Sequence, residues 1–308
     1  MLGIEKTPSS SIVTTIIPTH QVIDGIDVLW AAPSRSYPSG MLFVAHGCNH
    51  AHTDWFVCQQ GCLGLPEEMA IVNLALERNL VVVAVSSKNR HSKCWNPEVD
   101  GPRAAKVLQK ISDKYVPVSS SPLPIWAFGA SSGGGFVSAL GNFMKLQGYL
   151  SQIMARPPPE EQEPSEACMV YLTMERDLMT RDMAEQLLSQ VPRSSSNNAR
   201  HIQLPPLAIS SNDFFSKRIG SVSSSNSKSM VQSLQQGGFL DAHGYLKQDP
   251  RGSDWRSAVQ PFAESDTLVA DESAVAEVMN VAYSMHEMSR EGVAEGLDFC
   301  MSLLSSSS

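Results

Sequence analysis

The sequence predicts an α/β fold with a mostly parallel sheet of about eight strands and helices on both faces. Short apolar runs alternate with segments of helical periodicity through the first two thirds of the chain. This alternation is typical of parallel strands that are covered by helices. A second observation is the motif Gly-Ala-Ser-Ser-Gly at residues 129–133, which stands between an apolar run and the start of a helical segment.

The predicted strands are short apolar runs, rich in β-branched residues and bounded by turn signals. The first two are expected to form an antiparallel pair at one edge of the sheet. Their turn is predicted at Thr19 and His20, and a bend in the second strand at Asp24 and Gly25. The strands are predicted at residues 12–18, 22–32, 41–45, 80–86, 125–128, 148–154, 169–174 and 202–209.

The predicted helices combine apolar periodicity with helix-start signals. Pro66 begins one of them, and Glu67 and Glu68 lie in its first turn, where the helix dipole favours acidic side chains. The helices are predicted at residues 66–79, 103–115, 133–146, 180–190, 230–236, 272–284 and 290–304.

Residues 210–270 differ from the rest of the chain. They are polar, contain a serine-rich stretch at residues 221–229 and carry no strong strand signal. We interpret them as an insertion that acts as a cap, within a single domain that spans residues 1–308.

The composition excludes several classes of protein. Lys and Arg number 23 and Asp and Glu 31, which gives a net charge of −8. An acidic chain gains little from phosphate backbones, so nucleic acid is not an expected partner. There is no basic segment followed by an apolar run at the start, and no run of about 18–20 apolar residues. We therefore expect a cytoplasmic protein without a membrane span; the oligomeric state is not indicated.

Ser131 is the predicted nucleophile. It stands at the centre of a G-x-S-x-G motif that follows the strand at residues 125–128 and opens a helix. Such a sharp turn needs small neighbours, raises the serine hydroxyl above the sheet and directs the helix N-terminus at the site. A glycine-rich turn without chemistry is the alternative. A phosphate loop is not expected, because no Lys follows the glycines.

Two backbone amides are predicted to form an oxyanion hole. One belongs to Ser132, directly after the nucleophile, and the other to Cys48, in the loop after the strand at residues 41–45. Gly47 lets the backbone of that loop approach the site. His46, which precedes it, is expected to be structural.

The base should follow the nucleophile, because the triad order in this setting is Ser, acid, His. Three histidines come after Ser131. His201 begins a strand and His243 lies in a turn of the insertion, whereas His286 precedes the last helix. His286 is therefore the predicted base, and an exposed histidine without a catalytic role is the alternative.

Asp177 is the predicted acid that orients the base. It follows the strand at residues 169–174 and precedes a helical pattern. The alternative is that it only caps this helix. The rival acids are Glu175, Asp182 and Asp213.

Histidines and cysteines cluster between residues 46 and 62. Their spacing is not that of a zinc finger or ribbon, so no metal is expected. A disulfide between Cys58 and Cys62 stays open, and packing with local hydrogen bonding is the default for the cluster. Six cysteines at irregular positions in a chain of this length do not indicate a disulfide scaffold.

Six segments carry a family resemblance: residues 43–50 (FVAHGCNH), 64–68 (GLPEE), 129–134 (GASSGG), 213–219 (DFFSKRI), 254–256 (DWR) and 286–288 (HEM). Together they resemble a group of plant and algal α/β-hydrolase superfamily proteins. The resemblance implies the α/β-hydrolase fold and a triad of Ser131, Asp177 and His286. In the wider superfamily the base follows the last strand closely, so the long segment before His286 here implies a cap.

These features predict a serine hydrolase that cleaves a carboxylic ester or thioester through an acyl-enzyme, without a cofactor or metal. The expected partner is a small-molecule substrate. Two alternatives remain open, a non-catalytic ligand receptor with the same fold and an acyltransferase that uses the same triad.

Overall fold

The computed structural model describes residues 16–34, 37–115, 122–156, 167–191 and 196–305. Eight strands form one sheet in the order β1-β2-β4-β3-β5-β6-β7-β8. The strands are β1 (Thr19–Ile23), β2 (Ile26–Ala31), β3 (Gly40–Ala45), β4 (Leu80–Val85), β5 (Ile125–Ala130), β6 (Gly148–Gln152), β7 (Cys168–Met174) and β8 (Ala199–Leu204).

The sheet is antiparallel at one edge and parallel elsewhere. β2 pairs antiparallel with both β1 and β4, and the strands from β3 to β8 run parallel. This topology confirms the predicted α/β-hydrolase fold. Because the parallel strands end at one edge of the sheet, the loops after β3, β5 and β7 meet there.

The first hairpin turns at a different place from the one predicted. Thr19 and His20 lie within β1, and the chain reverses at Asp24 and Gly25, whose φ values are 50° and 77°. Asp-Gly suits a two-residue hairpin turn, since both positions take positive φ. The prediction read this turn as a bend inside one strand. Residues 12–15 of the predicted first strand lie outside the described residues.

Eight α-helices occur in the described part of the chain. One of them, α2, begins at Pro97 with Asn96 as its cap, well before the predicted start at residue 103. The prediction missed its first turns because Pro102 lies inside the helix and is normally a break signal. The helices are α1 (Pro66–Glu77), α2 (Pro97–Ser112), α3 (Ser132–Ala139), α4 (Leu178–Gln190), α5 (Ser224–Gln236), α6 (Trp255–Val259), α7 (Ala274–Tyr283) and α8 (Val293–Ser305).

The helices cover the sheet on both faces. Alternate residues of β3 point to opposite sides: Leu42 and Val44 pack in one core with α1 and α8. Met41 and Phe43 pack in a second core with α2, α3 and α4. The central strands are buried along their whole length, as expected of a sheet with two covered faces.

Residues 210–270 contain no strand of the main sheet and include α5, α6 and two short 3₁₀ turns. Their apolar side chains form a third core together with α7. Trp255 is fully buried there, and its Nε1 donates to the carbonyl oxygen of Pro250 at 2.9 Å. The insertion therefore has a packed interior of its own.

All six cysteines are paired, as Cys48–Cys94, Cys58–Cys62 and Cys168–Cys300. The prediction that the six cysteines do not form a disulfide framework was wrong, and packing alone does not describe Cys48, Cys58 and Cys62 of the cluster. Disulfides persist in oxidising compartments and are rare in the cytosol. The predicted cytoplasmic location stays a prediction. Among the described residues, no helix has the length and apolar character needed to cross a bilayer.

Candidate active site

Ser131 lies at the turn between β5 and α3, with a φ of 53° and a ψ of −119°. A side-chain-bearing residue seldom takes a positive φ, so its neighbours must hold it there. Its N–H donates to the carbonyl oxygen of Gln152 at 2.9 Å. A Cβ atom on Gly129 would overlap the carbonyl of Gly133, and one on Gly133 would overlap the carbonyl of Ala45. Close backbone approach therefore requires both glycines of the motif.

The three predicted triad residues form one chain of hydrogen bonds. Ser131 Oγ lies 3.1 Å from Nε2 of His286, and Nδ1 of His286 lies 2.8 Å from Oδ2 of Asp177. With the proton on Nδ1, His286 donates to the carboxylate and accepts the serine hydroxyl proton at Nε2. Asp177 and Ser131 lie 109 and 155 positions before His286 in the sequence, so only the fold brings the three residues together.

Asp177 caps α4 and orients His286 at the same time. Its side chain accepts from the N–H of Thr180 at 3.3 Å and is 5% exposed. Burial raises the pKa of this carboxyl, but the hydrogen bonds from His286 and Thr180 outweigh that effect and lower the pKa below its ordinary value. Asp177 is therefore an anion over the neutral pH range.

The loop that carries His286 is joined to the end of β6 by Gln152. The side chain of Gln152 donates to the carbonyl of Ser289 and accepts from its N–H, both at 2.9 Å. The carbonyl of the same Gln152 receives the N–H of Ser131. One buried residue thus contacts both the nucleophile turn and the loop of the base. Sequence analysis gave no signal for it, since a glutamine at a strand end is common.

Glu67 anchors the other end of this loop. Its fully buried carboxylate accepts from the N–H of Arg290 at 2.8 Å, from Nη2 of Arg290 at 2.8 Å and from Nη1 of Arg218 at 3.0 Å. Burial would raise the pKa of Glu67, but the two guanidinium groups lower it. The prediction placed Glu67 in a helix start on dipole grounds and did not foresee this ion network.

Arg251 of the insertion holds the backbone of His286 directly. Its two terminal nitrogens donate to the carbonyl oxygens of Met285 and His286, both at 2.8 Å, and one of them contacts Glu287 at 3.1 Å. His286 has a φ of 45° and Ser284 a φ of 63°. The loop of the base is therefore a strained segment that side chains from elsewhere keep in place.

The rival residues have other partners. His201 lies on the sheet, 2.7 Å from the hydroxyl of Thr173, and His243 lies in a turn that Asp241 caps. Among the rival acids, Asp182 pairs with Arg181, and Asp213 with Ser211 and Lys217. The backbone N–H of Glu175 donates to the carbonyl of Leu204 and to Ser284 Oγ, next to the triad rather than within it.

The two predicted oxyanion donors lie on either side of Ser131. Ser132 is the first residue of α3, and a Cβ on Gly47, which precedes Cys48, would lie 3.9 Å from the Cβ of Ser131. Within the described part of the chain, neither the Cys48 nor the Ser132 N–H donates to another group. That these two amides form an oxyanion hole stays a prediction.

His46 is structural, as expected. It is fully buried, its Nδ1 donates to the carbonyl of Gly47 at 2.6 Å, and its Nε2 accepts from the N–H of Ser87 at 3.2 Å. Burial lowers the pKa of His46 to about 3, so the ring is neutral at neutral pH. Both ring nitrogens serve to shape the loop before Cys48.

His50 forms a second histidine–carboxylate pair that the sequence did not reveal. Its Nδ1 lies 3.0 Å from Asp54, and its Nε2 lies 3.9 Å from Asp271 of the segment before α7. Burial would lower the pKa of His50, but the hydrogen bond to Asp54 and the nearby carboxylate of Glu68 raise it to about 9. His50 therefore carries a positive charge near the predicted oxyanion loop.

No group of three or more His, Cys, Asp or Glu side chains is arranged to hold a metal ion among the described residues. The cluster between residues 46 and 62 is instead divided among the roles above and two disulfides. The pairing of Cys58 with Cys62, which the spacing left open, occurs.

No family model matches the chain, and no curated protein matches its sequence. The resemblance to plant and algal proteins therefore stays a prediction.

Solved structures with a similar arrangement include the dienelactone hydrolase from Anabaena variabilis, at 16% identity and a TM-score of 0.41, covering 62% of this chain and 87% of that one. The α/β serine hydrolase homologue from Coxiella burnetii is 13% identical with a TM-score of 0.42, over 64% and 90%. XC6422 from Xanthomonas campestris, described as an α/β serine hydrolase without a lid, is 12% identical with a TM-score of 0.41, over 63% and 86%. At such low sequence identities and TM-scores, the similarity gives no information about the activity of this chain.

Proposed function

We propose that the protein is a serine hydrolase that cleaves a carboxylic ester or thioester. The observation that carries the proposal is the unbroken chain of hydrogen bonds from Ser131 through His286 to Asp177, with distances of 3.1 and 2.8 Å. A serine hydroxyl is a poor nucleophile unless a base takes its proton, and the base needs an orienting carboxylate. The arrangement meets both needs.

In the proposed reaction Ser131 Oγ attacks the substrate carbonyl while Nε2 of His286 takes the hydroxyl proton. The developing oxyanion accepts hydrogen bonds from the amides of Cys48 and Ser132. His286 then gives the proton to the leaving alcohol or thiol, and the acyl-enzyme forms. Water, deprotonated by His286, attacks the acyl group and releases the carboxylic acid and Ser131. Asp177 stabilises the imidazolium in both steps.

We further propose that residues 210–270 act as a cap that belongs to the site. Arg251 supports this role, because it reaches from the insertion to the carbonyl oxygens of Met285 and His286. Asp271, the residue directly after the insertion, accepts from Nδ2 of Asn49 at 3.2 Å, next to Cys48. The insertion and the residue that follows it thus contact both the loop of His286 and the predicted oxyanion loop.

The test is labelling with a fluorophosphonate, which reacts only with an activated serine, followed by mass spectrometry of the adduct. Wild type, Ser131→Ala and His286→Ala are compared, and Ser138→Ala in the same helix α3 is the matched control. We expect labelling of Ser131 in wild type and Ser138→Ala, none in Ser131→Ala and a sharp decrease in His286→Ala. A folded wild type that takes up no label would contradict the proposal.

The two alternatives give different results in a turnover assay with esters and thioesters of graded chain length. An acyltransferase would form product only when an alcohol or amine is added as acceptor. A ligand receptor would bind a ligand tightly in Ser131→Ala as well as in wild type, and neither protein would turn it over.

A further inference from the structure

We propose that the Cys48–Cys94 disulfide and the adjacent Trp95 are positioning groups that hold both amides of the oxyanion hole, so that reduction of this one disulfide lowers turnover. The inference rests on the proposed function, because it concerns how the oxyanion hole is built. It adds a redox condition for activity that the triad alone does not imply.

The first support is the connection between two loops through the disulfide and two hydrogen bonds. The disulfide connects the loop after β3, which carries Cys48, to the loop between β4 and α2, which carries Cys94. The N–H of Asn49 donates to the carbonyl of Ser92 at 3.3 Å, and Nζ of Lys93 donates to the carbonyl of Asn49 at 2.7 Å. Three contacts thus hold the Cys48 amide against a neighbouring loop, and one of them is covalent.

The backbone around this disulfide is strained. Asn49 directly follows Cys48 with a φ of 70°, and Lys93 directly precedes Cys94 with a φ of 54°. Asparagine tolerates the left-handed region, whereas lysine seldom occupies it. Such conformations persist only where the surroundings impose them. We therefore expect both loops to relax when the covalent link is broken, and the Cys48 amide to move with them.

The second support is the contact of Trp95 with Ser132, the residue that carries the other predicted oxyanion amide. Its backbone N–H donates to Ser132 Oγ at 2.8 Å, and its indole Nε1 donates to the carbonyl of His46 at 2.8 Å. The indole also stacks on Phe136 of α3, with ring centres 4.3 Å apart. Adjacent residues 94 and 95 therefore contact both halves of the predicted oxyanion hole.

The other two disulfides do not connect loops of the predicted oxyanion hole. Cys58 and Cys62 are four positions apart and close a small loop of their own. Cys168 and Cys300 join β7 to α8 within one of the sheet cores and are almost fully buried. Cys48 and Cys94 are both partly exposed, which gives a reductant access.

The reductant in this proposal is a small dithiol. One of its thiolates attacks a sulfur of the Cys48–Cys94 bond, which breaks that bond, forms a mixed disulfide and frees one cysteine thiolate. The second thiol of the reductant then displaces the remaining cysteine and closes an intramolecular disulfide. Two electrons and two protons pass from the dithiol to the protein, leaving Cys48 and Cys94 as thiols.

The expected signature is a loss of kcat with little change in KM. Oxyanion donors stabilise the transition state more than the bound substrate, so their displacement slows the chemical step. We expect kcat to decrease about 10- to 100-fold, somewhat less than the loss from deleting a donor.

The test compares Cys48→Ser/Cys94→Ser with the matched control Cys58→Ser/Cys62→Ser, using kcat and KM on p-nitrophenyl esters and thermal unfolding of each variant. We expect the predicted loss of kcat in the first double variant and wild-type kinetics in the second. Equal kcat in both variants and wild type would overturn the inference.

A second measurement covers failure of the first variant to fold. Oxidised wild type is titrated with dithiothreitol under native conditions, alkylated and mapped by mass spectrometry, while circular dichroism monitors the fold. We expect activity to decrease in step with alkylation of Cys48 and Cys94 before the fold is lost. Activity that follows only the Cys168–Cys300 pair or unfolding would overturn the inference.

The same data separate the inference from the proposed function. Oxidised wild type with neither turnover nor fluorophosphonate labelling would remove the proposed function and the inference with it. Turnover in wild type that survives loss of the Cys48–Cys94 disulfide would remove the inference alone.

Discussion

Ser131 Oγ lies 3.1 Å from Nε2 of His286. The turn that carries Ser131 and the loop that carries His286 are nevertheless held in place in different ways. The serine turn is held by its own strand, its own helix and glycines that lie within a few residues, and by one backbone hydrogen bond from Ser131 to Gln152. The histidine loop is fixed by side chains of Glu67, Gln152 and Arg251, which come from three distant parts of the chain. A local sequence motif can therefore encode the first but not the second.

Among the changes outside the predicted triad, the largest effect on turnover is expected from Gly133→Ala, which tests whether the turn of Ser131 is held by nearby residues. A Cβ atom at this position would overlap the carbonyls of Ala45 and His46, and rigid backbone cannot move away. We expect turnover to decrease at least about 10²-fold through misplacement of Ser131, with a stability loss of about 1–3 kcal/mol.

The control for that variant is Gly135→Ala in the same helix. Its Cβ would meet only the flexible side chain of Arg156, at 3.1 Å. Ester turnover and chemical unfolding measure both effects. Equal behaviour of the two alanine variants would contradict the idea that backbone approach at the turn is critical.

Glu67→Ala tests whether side chains from distant segments hold the loop of His286. It leaves the guanidinium groups of Arg218 and Arg290 without their shared buried carboxylate. Removal of one partner from a buried ion network typically costs about 3–5 kcal/mol. Urea unfolding of wild type and variant gives the value, and Asp298→Ala, which removes a largely exposed partner of Arg78, is the control. A loss as small as that of the control would show that the network does not anchor the loop.

The contacts between distant segments should also make the stability of the protein depend on pH. Glu68 of α1 and Glu277 of α7, the helix before the His286 loop, are buried and contact each other. Burial raises the pKa of Glu68 from 4.5 to about 7, and burial with the neighbouring carboxylates raises that of Glu277. The folded state therefore keeps its protons to a higher pH than the unfolded chain does. The stability from Glu68 is full below pH 4.5 and is lost as the pH rises to about 7, and the contribution of Glu277 decreases in the same direction with rising pH.

The measurement is urea unfolding between pH 4 and 9, with an expected decrease on the order of 2 kcal/mol from the carboxyl pair. The double variant Glu68→Gln/Glu277→Gln should lose this decrease. Wild type should show a later decrease from His50, whose pKa is raised from 6.5 to about 9 and whose contribution is lost as the pH rises through that range. The double variant should keep only the part of this later decrease that depends on Asp54, because Glu68 also raises the pKa of His50. A double variant with the wild-type profile below pH 7 would contradict the assignment.

The smallest effect is expected from Arg251→Lys. Lysine keeps the charge but cannot donate to the carbonyls of Met285 and His286 in the forked geometry of a guanidinium. We expect kcat to decrease about 10-fold, because His286 is held less well against Ser131. The check is kcat and its pH profile beside Arg200→Lys, whose partner Glu295 is exposed. Identical kinetics in both lysine variants would show that the insertion does not position the base.

The sequence predicted those parts of the molecule whose causes are local. Strand–helix alternation gave the sheet, and the glycines around Ser131 gave the nucleophile turn, because short-range sterics demand them. His286 and Asp177 could be chosen from chain order and their positions after a strand and before a helix. The hairpin turn at Asp24 and Gly25 was available in the sequence as an Asp-Gly signal but was read as a bend.

The remaining features depend on contacts between distant segments. Three disulfides can be drawn among six cysteines in fifteen ways, so spacing gives no connectivity. The hydrogen bonds from Gln152 to Ser289 and from Arg251 to His286 join residues that are 137 and 35 positions apart. The charge of His50 depends on Glu68 as well as on its near neighbour Asp54. Apart from Cys58 and Cys62, whose close spacing left their pairing open, none of these pairs leaves a periodic or short-range signal.

The most direct test of the central claim is a double-mutant cycle on ester turnover with wild type, Ser131→Ala, His286→Ala and the combined variant. If the two residues act as one unit, each single change lowers kcat by about 10⁴-fold or more, and the double variant is no slower than the slower single variant. Turnover that survives in Ser131→Ala, or losses that multiply in the double variant, would contradict the account.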